Sequence, residues 1–136
     1  MAGSTGVVTI TEQTHSHIRL IEFDWITGSS SQTGTATGYT VGKDYDGEIV
    51  EIVTSPDSTA IPTDNYDIVI TDKNGLDILV GSAMDRDTTT TEYLVKATTA
   101  TGRLNNPLGY ISASSMVFSV TNAGTEKRGR VFLYLK

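Results

Sequence analysis

Cysteine is absent from the 136 residues. That absence excludes disulfides, thiolate-bound metal and a thiol nucleophile, so the fold rests on packing alone and folding in a reducing cytosol is favoured. Long apolar runs are missing too. The longest, Val131-Phe132-Leu133-Tyr134-Leu135, falls far short of the ~20 residues that a membrane-spanning helix needs. Met1-Ala2-Gly3-Ser4 contains neither the basic segment nor the apolar core of a signal peptide, so none is expected. No window longer than ten residues carries a helical stripe, which argues against helix. Basic residues are scarce where acids are dense. From Asp44 to Glu92 twelve acids face only Lys73 and Arg86, whereas beyond Glu92 a single acid, Glu126, faces six basic residues. An acidic body of this kind argues against nucleic acid as the main partner, because phosphate neutralisation needs a basic surface.

What the chain has instead is threonine (22), serine (12) and glycine (13). Threonine is β-branched and suits a pleated, half-solvated surface, while glycine and serine populate turns. The length fits one domain able to bury roughly 65–70% of its unfolded surface. Residues 1–17 read as an N-terminal strand or arm and residues 18–136 as the body of that domain.

Tyr66 to Val80 is the clearest stretch. Tyr66, Ile68 and Ile70 alternate with polar or outward residues, then Asp72-Lys73-Asn74-Gly75 precedes Leu76, Ile78 and Leu79. Asn-Gly tolerates the positive φ of a type I′ turn, so the pattern predicts a β-hairpin. Further strands are predicted at Gly6 to Gln13, Ile18 to Thr27 (Ile21, Phe23 and Trp25 on one face), Tyr39 to Val41, Glu48 to Ser55 and Thr88 to Val95. The apolar residues of Glu48 to Ser55 do not alternate strictly, which predicts two-sided burial or a bulge. Met116 to Thr121 and Arg130 to Leu135 alternate as strands and read as a second hairpin across Asn122-Ala123-Gly124-Thr125. Ser29 to Gly38 and Ala97 to Ser115 read as long loops. Eight or nine short strands at this spacing predict an all-β, single-domain antiparallel β-sandwich, jelly-roll or Greek-key-like.

Candidate chemistry is thin. His15 and His17 on a strand would share a face, but two imidazoles fall short of the three or four ligands a metal centre requires. Asp72, Asp77, Asp85 and Asp87 surround a turn and offer hard oxygens to calcium, yet the spacing fails the EF-hand pattern and turn chemistry accounts for them. Gly34-Thr35-Ala36-Thr37-Gly38 lacks the lysine of a phosphate loop. No nucleophile elbow occurs. No enzymatic activity, cofactor or metal is expected. The six tyrosines are the only candidates for stacking on a sugar ring.

Two segments, Pro62-Thr-Asp-Asn-Tyr-Asp-Ile-Val-Ile-Thr-Asp-Lys-Asn-Gly-Leu-Asp-Ile-Leu79 with Asp85-Arg86, and Ser119-Val-Thr-Asn-Ala-Gly-Thr-Glu-Lys-Arg-Gly-Arg-Val-Phe-Leu-Tyr-Leu135, resemble small all-β head and structural proteins of tailed bacteriophages, some of which decorate or cement the capsid. The resemblance covers about a quarter of the chain and supplies no catalytic residue. It implies a structural virion protein made in the host cytoplasm. That protein would sit on the capsid exterior, bind the major capsid protein lattice and assemble as a homo-oligomer, a dimer or trimer. The alternative is a carbohydrate- or receptor-binding β module of a tail fibre or spike. Arms and loops are where a lattice-binding domain adapts. The expected contact residues are therefore Val7, Val8 and His15 in the arm, Gln32 and Thr35 in the first loop, Leu104, Leu108 and Tyr110 in the second, and Lys127 and Arg128 in the basic turn.

Overall fold

The computed structural model describes residues 6–28, 35–41, 45–79, 81, 83–95 and 110–136. The strands are β1 (Val7–His15), β2 (Ile18–Ile26), β3 (Ala36–Thr40), β4 (Tyr45–Pro56), β5 (Asp67–Thr71), β6 (Glu92–Val95), β7 (Tyr110–Ser114), β8 (Val117–Thr121) and β9 (Arg128–Leu135). Every pairing is antiparallel, and the described residues contain no helix. The larger sheet runs β1-β2-β9-β4-β6, with β7 also paired to β4; the smaller runs β3-β8-β5.

The period-two pattern does the work expected of it. Ile21, Phe23 and Trp25 in β2, Val131, Leu133 and Leu135 in β9, Phe118 and Val120 in β8, and Ile68 and Ile70 in β5 are all fully buried. These faces meet. Phe23 of the larger sheet stacks on Phe118 of the smaller, with ring centroids 4.5 Å apart and planes at 10°. Trp25 meets Tyr66, the residue preceding β5, at 5.5 Å and 48°. The two sheets thus share one apolar core, and each large side chain enclosed there contributes about 1.5–3 kcal/mol. The irregular pattern in β4 is a bulge: its register against β9 slips between Ile49 and Glu51.

Several sequence expectations change. The turn at Asp72 to Gly75 is present, but it is not type I′: Gly75 alone takes a positive φ, 79°, and its N–H donates to the Asp72 carbonyl at 3.0 Å. Residues after it do not form a regular strand. They follow the β5 edge through separate contacts, at Thr71↔Asp77, Ile78 N–H to Ile70 O (2.8 Å), Ile68 N–H to Ala83 O (2.9 Å) and Tyr66↔Arg86. Between Ile78 and Ala83 the return segment carries more residues than β5 passes, so the ladder breaks. The expected hairpin of Met116 to Thr121 with Arg130 to Leu135 does not exist. β8 pairs with β3 and β5, while β9 pairs with β2 and β4. Residues 122–127 instead carry the chain from one sheet to the other, with positive φ at Asn122, Gly124 and Glu126. The strand predicted from Thr88 begins only at Glu92, because the Asp87 carboxylate accepts the Thr89 and Thr90 amides (both 2.8 Å) and holds a turn there. The loops predicted at Ser29 to Gly38 and Ala97 to Ser115 give way to strand at Ala36 and at Tyr110.

Candidate interaction site

β1 is an outer strand, paired among the described residues with β2 alone. Val8 is buried and Ile10 packs against the core, but Val7 is 50% exposed and every residue from Thr11 to His15 is exposed. The direction of its hydrogen bonds follows from β2. Thr27 N–H donates to Lys127 O, so odd-numbered positions of this stretch face β9 and even-numbered ones face β1. The register Ile26↔Val7 through Ile18↔His15 then turns the backbone groups of Val8, Ile10, Glu12 and Thr14 away from β2, to the outer edge. Nine residues run without proline or bulge and with no Lys, Arg or Asp, Glu12 being the one carboxylate. Outer strands in soluble proteins are ordinarily blunted by such devices, because a bare edge invites another strand.

A second feature lies on the outer face of the larger sheet. Arg130 stands between Asp24 on β2 and Ser55 on β4 in register, and with Arg128, Pro56 and Asp57 these residues line a polar cleft of about 440 Å³. The Asp57 carboxylate accepts the amides of Ala60 (2.7 Å) and Thr59 (2.9 Å). Those two bonds, assisted by Arg128 and Arg130 and opposed only by slight burial, lower its pKa. The amides of Thr89 and Thr90 lower that of Asp87 in the same way. Because folding lowers both values, the stabilisation is fully present above the ordinary carboxylate value of 3.8 and is lost as pH falls through the lower folded-state values. Asp57→Asn/Asp87→Asn is therefore expected to show a smaller drop in Tm on acidification below about pH 4 than the parent. Identical acid slopes in thermal melts of the two proteins would refute this.

The third feature is a joint. Asp67, buried, accepts the Asp85 amide (2.8 Å) through Oδ1 and the Asn122 side-chain amide (2.6 Å) through Oδ2. It ties the return segment and the exit of β8 to the start of β5, and Asn65, Asp85 and Asn122 around it all adopt positive φ.

The acids considered for calcium do not converge. Asp72 caps the amides of Asn74 and Leu76, Asp77 those of Leu79 and Gly81, and Asp87 those already named. Among the described residues no group of three or more His, Asp or Glu side chains is placed to hold a metal. His15 ends β1 and His17 lies in the two-residue loop that Ser16 opens at φ 56°, so they do not share a strand face; His15 Nε2 lies 3.0 Å from Gln13 Oε1.

Of the expected contact residues, Val7 and His15 stand exposed on β1, whereas Val8 points into the core. Thr35 is half-buried, its carbonyl accepting the Gly28 amide at 3.2 Å. Lys127 is held by its backbone to Thr27, and Arg128 is exposed beside the cleft. Tyr110 is placed by its backbone in β7; Gln32, Leu104 and Leu108 lie outside the described residues. Sequence reasoning missed Asp24, Asp57 and Arg130, because only cross-strand register brings them together. No family model, no curated protein and no solved structure matches the chain.

Proposed function

We propose that the chain is a non-enzymatic structural protein of a tailed-phage virion that decorates or cements the capsid exterior by binding the major capsid protein lattice. Its two facing antiparallel sheets, joined by a link that crosses between them, are read as a β-sandwich with Greek-key-like connection. The observation that carries the functional reading is the outer edge of β1, which among the described strands pairs with β2 alone. A strand from a neighbouring subunit, whether capsid protein or another copy in a homo-oligomer, finds there the outward backbone donors and acceptors of Val8, Ile10 and Thr14. A rigid, shared core behind that edge is what a cement requires, since little ordering entropy is then spent on attachment.

The carbohydrate-binding alternative needs grouped, exposed aromatic rings. Tyr66 is core, Tyr134 is half-buried, and among the described residues Tyr93, 67% exposed, is the one strongly exposed aromatic. A lone ring supports that alternative less than the edge supports assembly.

The test is reconstitution. Purified protein added to capsids that lack it is expected to appear by cryo-electron microscopy at symmetry-related sites in stoichiometric amount. Thr14→Pro is expected to reduce that occupancy at least several-fold while leaving the circular dichroism spectrum unchanged, because the Thr14 N–H faces outward and its loss breaks no β1–β2 bond. Absence of the parent protein from particles would sink the capsid reading. Full occupancy by Thr14→Pro would remove β1 from it.

A further inference from the structure

At one end of the core four buried side-chain atoms make no hydrogen bond of good geometry to any described residue: Trp25 Nε1, Thr54 Oγ1, Tyr66 Oη and Arg86 Nη1. They belong to one neighbourhood. The Trp25 and Tyr66 rings touch, and the Tyr66 hydroxyl faces that of Thr54 within range of a weaker mutual interaction. Tyr66 bridges Arg86 through the backbone, the Arg86 amide donating to the Tyr66 carbonyl at 2.7 Å. Glu92, directly across the sheet from Thr54, stands 3.5 Å from Arg86 Nη1, a charge contact without a hydrogen bond. Gly129, in register with both Trp25 and Pro56, leaves the indole room to lie flat across β9 toward β4.

The chemistry of the four atoms identifies what fits among them. The indole and guanidinium nitrogens only donate, whereas the two hydroxyl oxygens both accept and donate. Orphaned polar groups at this depth are costly, and native interiors rarely leave them so. A molecule that accepts twice and donates twice meets the whole set. We propose that an ordered internal water sits here, accepting from Trp25 Nε1–H and Arg86 Nη1–H and donating to Thr54 Oγ1 and Tyr66 Oη. It staples the larger sheet, through Trp25 and Thr54, to the segments at Tyr66 and Arg86 that lead into and return beside β5.

Trp25 is the sole tryptophan, so its indole N–H gives one isolated resonance in a nitrogen-15 spectrum. A cross-peak from that proton to the water frequency, with the sign of a long-lived bound water, is expected in the parent protein and at least several-fold weaker in Thr54→Val. A high-resolution crystal structure is expected to show water density within hydrogen-bond distance of Trp25 Nε1, which separates a bound water from exchange relayed by the hydroxyls. No density at that position overturns the proposal, as does a cross-peak unchanged in both Thr54→Val and Tyr66→Phe. Tyr66→Phe keeps the ring packing and so reports even if Thr54→Val fails to fold.

Discussion

Phe118→Ala is expected to lower the free energy of unfolding by about 3–5 kcal/mol. Phe118 is fully buried in the central strand of the smaller sheet, paired with Tyr39 of β3 on one side and Ile70 of β5 on the other. Its ring stacks on Phe23. Truncation removes the transferred apolar area, leaves a cavity that strands on both sides prevent from collapsing, and forfeits the ring contact, itself about 0.5–1.5 kcal/mol. Against a total stability of about 5–15 kcal/mol for a domain of this kind, that is a large fraction. Denaturant unfolding with an unchanged slope checks it. A loss under about 1 kcal/mol, outside the range for such truncations, would mean that the sheets do not share a core through this pair.

Gly129→Ala is expected to cost about 1–3 kcal/mol, although it adds a single methyl group. The backbone there is not in the left-handed region, so conformation alone does not demand glycine. What demands it is the Trp25 indole: a Cβ on Gly129 would meet Cζ2, lie 2.8 Å from Cε2 and 3.1 Å from Nε1. The ring cannot retreat, because Tyr66 packs on it from across the core. Trp25→Phe shortens the ring and is expected to relieve the clash, so the double variant should be less destabilised than the sum of the singles. Additive losses in denaturant unfolding would refute the indole as the cause. Gly81→Ala is the control. Gly81 has φ 75° but nothing within 4 Å of an added Cβ, so only the backbone cost of about 1–2 kcal/mol applies.

Much of the burial was legible in the residues. Ile21, Phe23 and Trp25 were expected on one face and are all enclosed, since alternation with charged Glu22 and Asp24 admits only one inward choice. The bulge in β4 was visible as broken alternation. The failures are of two kinds. Asp87 overrode a run of four β-branched threonines, because a carboxylate taking two backbone amides outweighs local strand propensity. The final pair of strands was joined wrongly because a short polar link between two alternating segments reads as a hairpin whether or not it crosses from sheet to sheet.

The candidate site divides similarly. Val7, Val8 and His15 were all expected as contacts of an N-terminal arm; Val7 and His15 are exposed, whereas Val8 belongs to the core because neighbouring strand positions point opposite ways. The Asp24–Arg130–Ser55 row, the Asp67 joint and the four buried polar atoms around Trp25 left no local signature. Their members come from segments far apart in the chain.

By itself, then, the amino-acid order determined that the chain is pleated sheet and which side chains face inward, because alternation and turn chemistry act within a few residues. Only the tertiary structure decided that β9 lies between β2 and β4, that β8 joins the other sheet, and that β1 ends the order of the larger sheet. Every alternating strand offers the same backbone ladder to any neighbour, so pairing is settled by how whole faces pack across the core, with Phe23 against Phe118 and Trp25 against Tyr66.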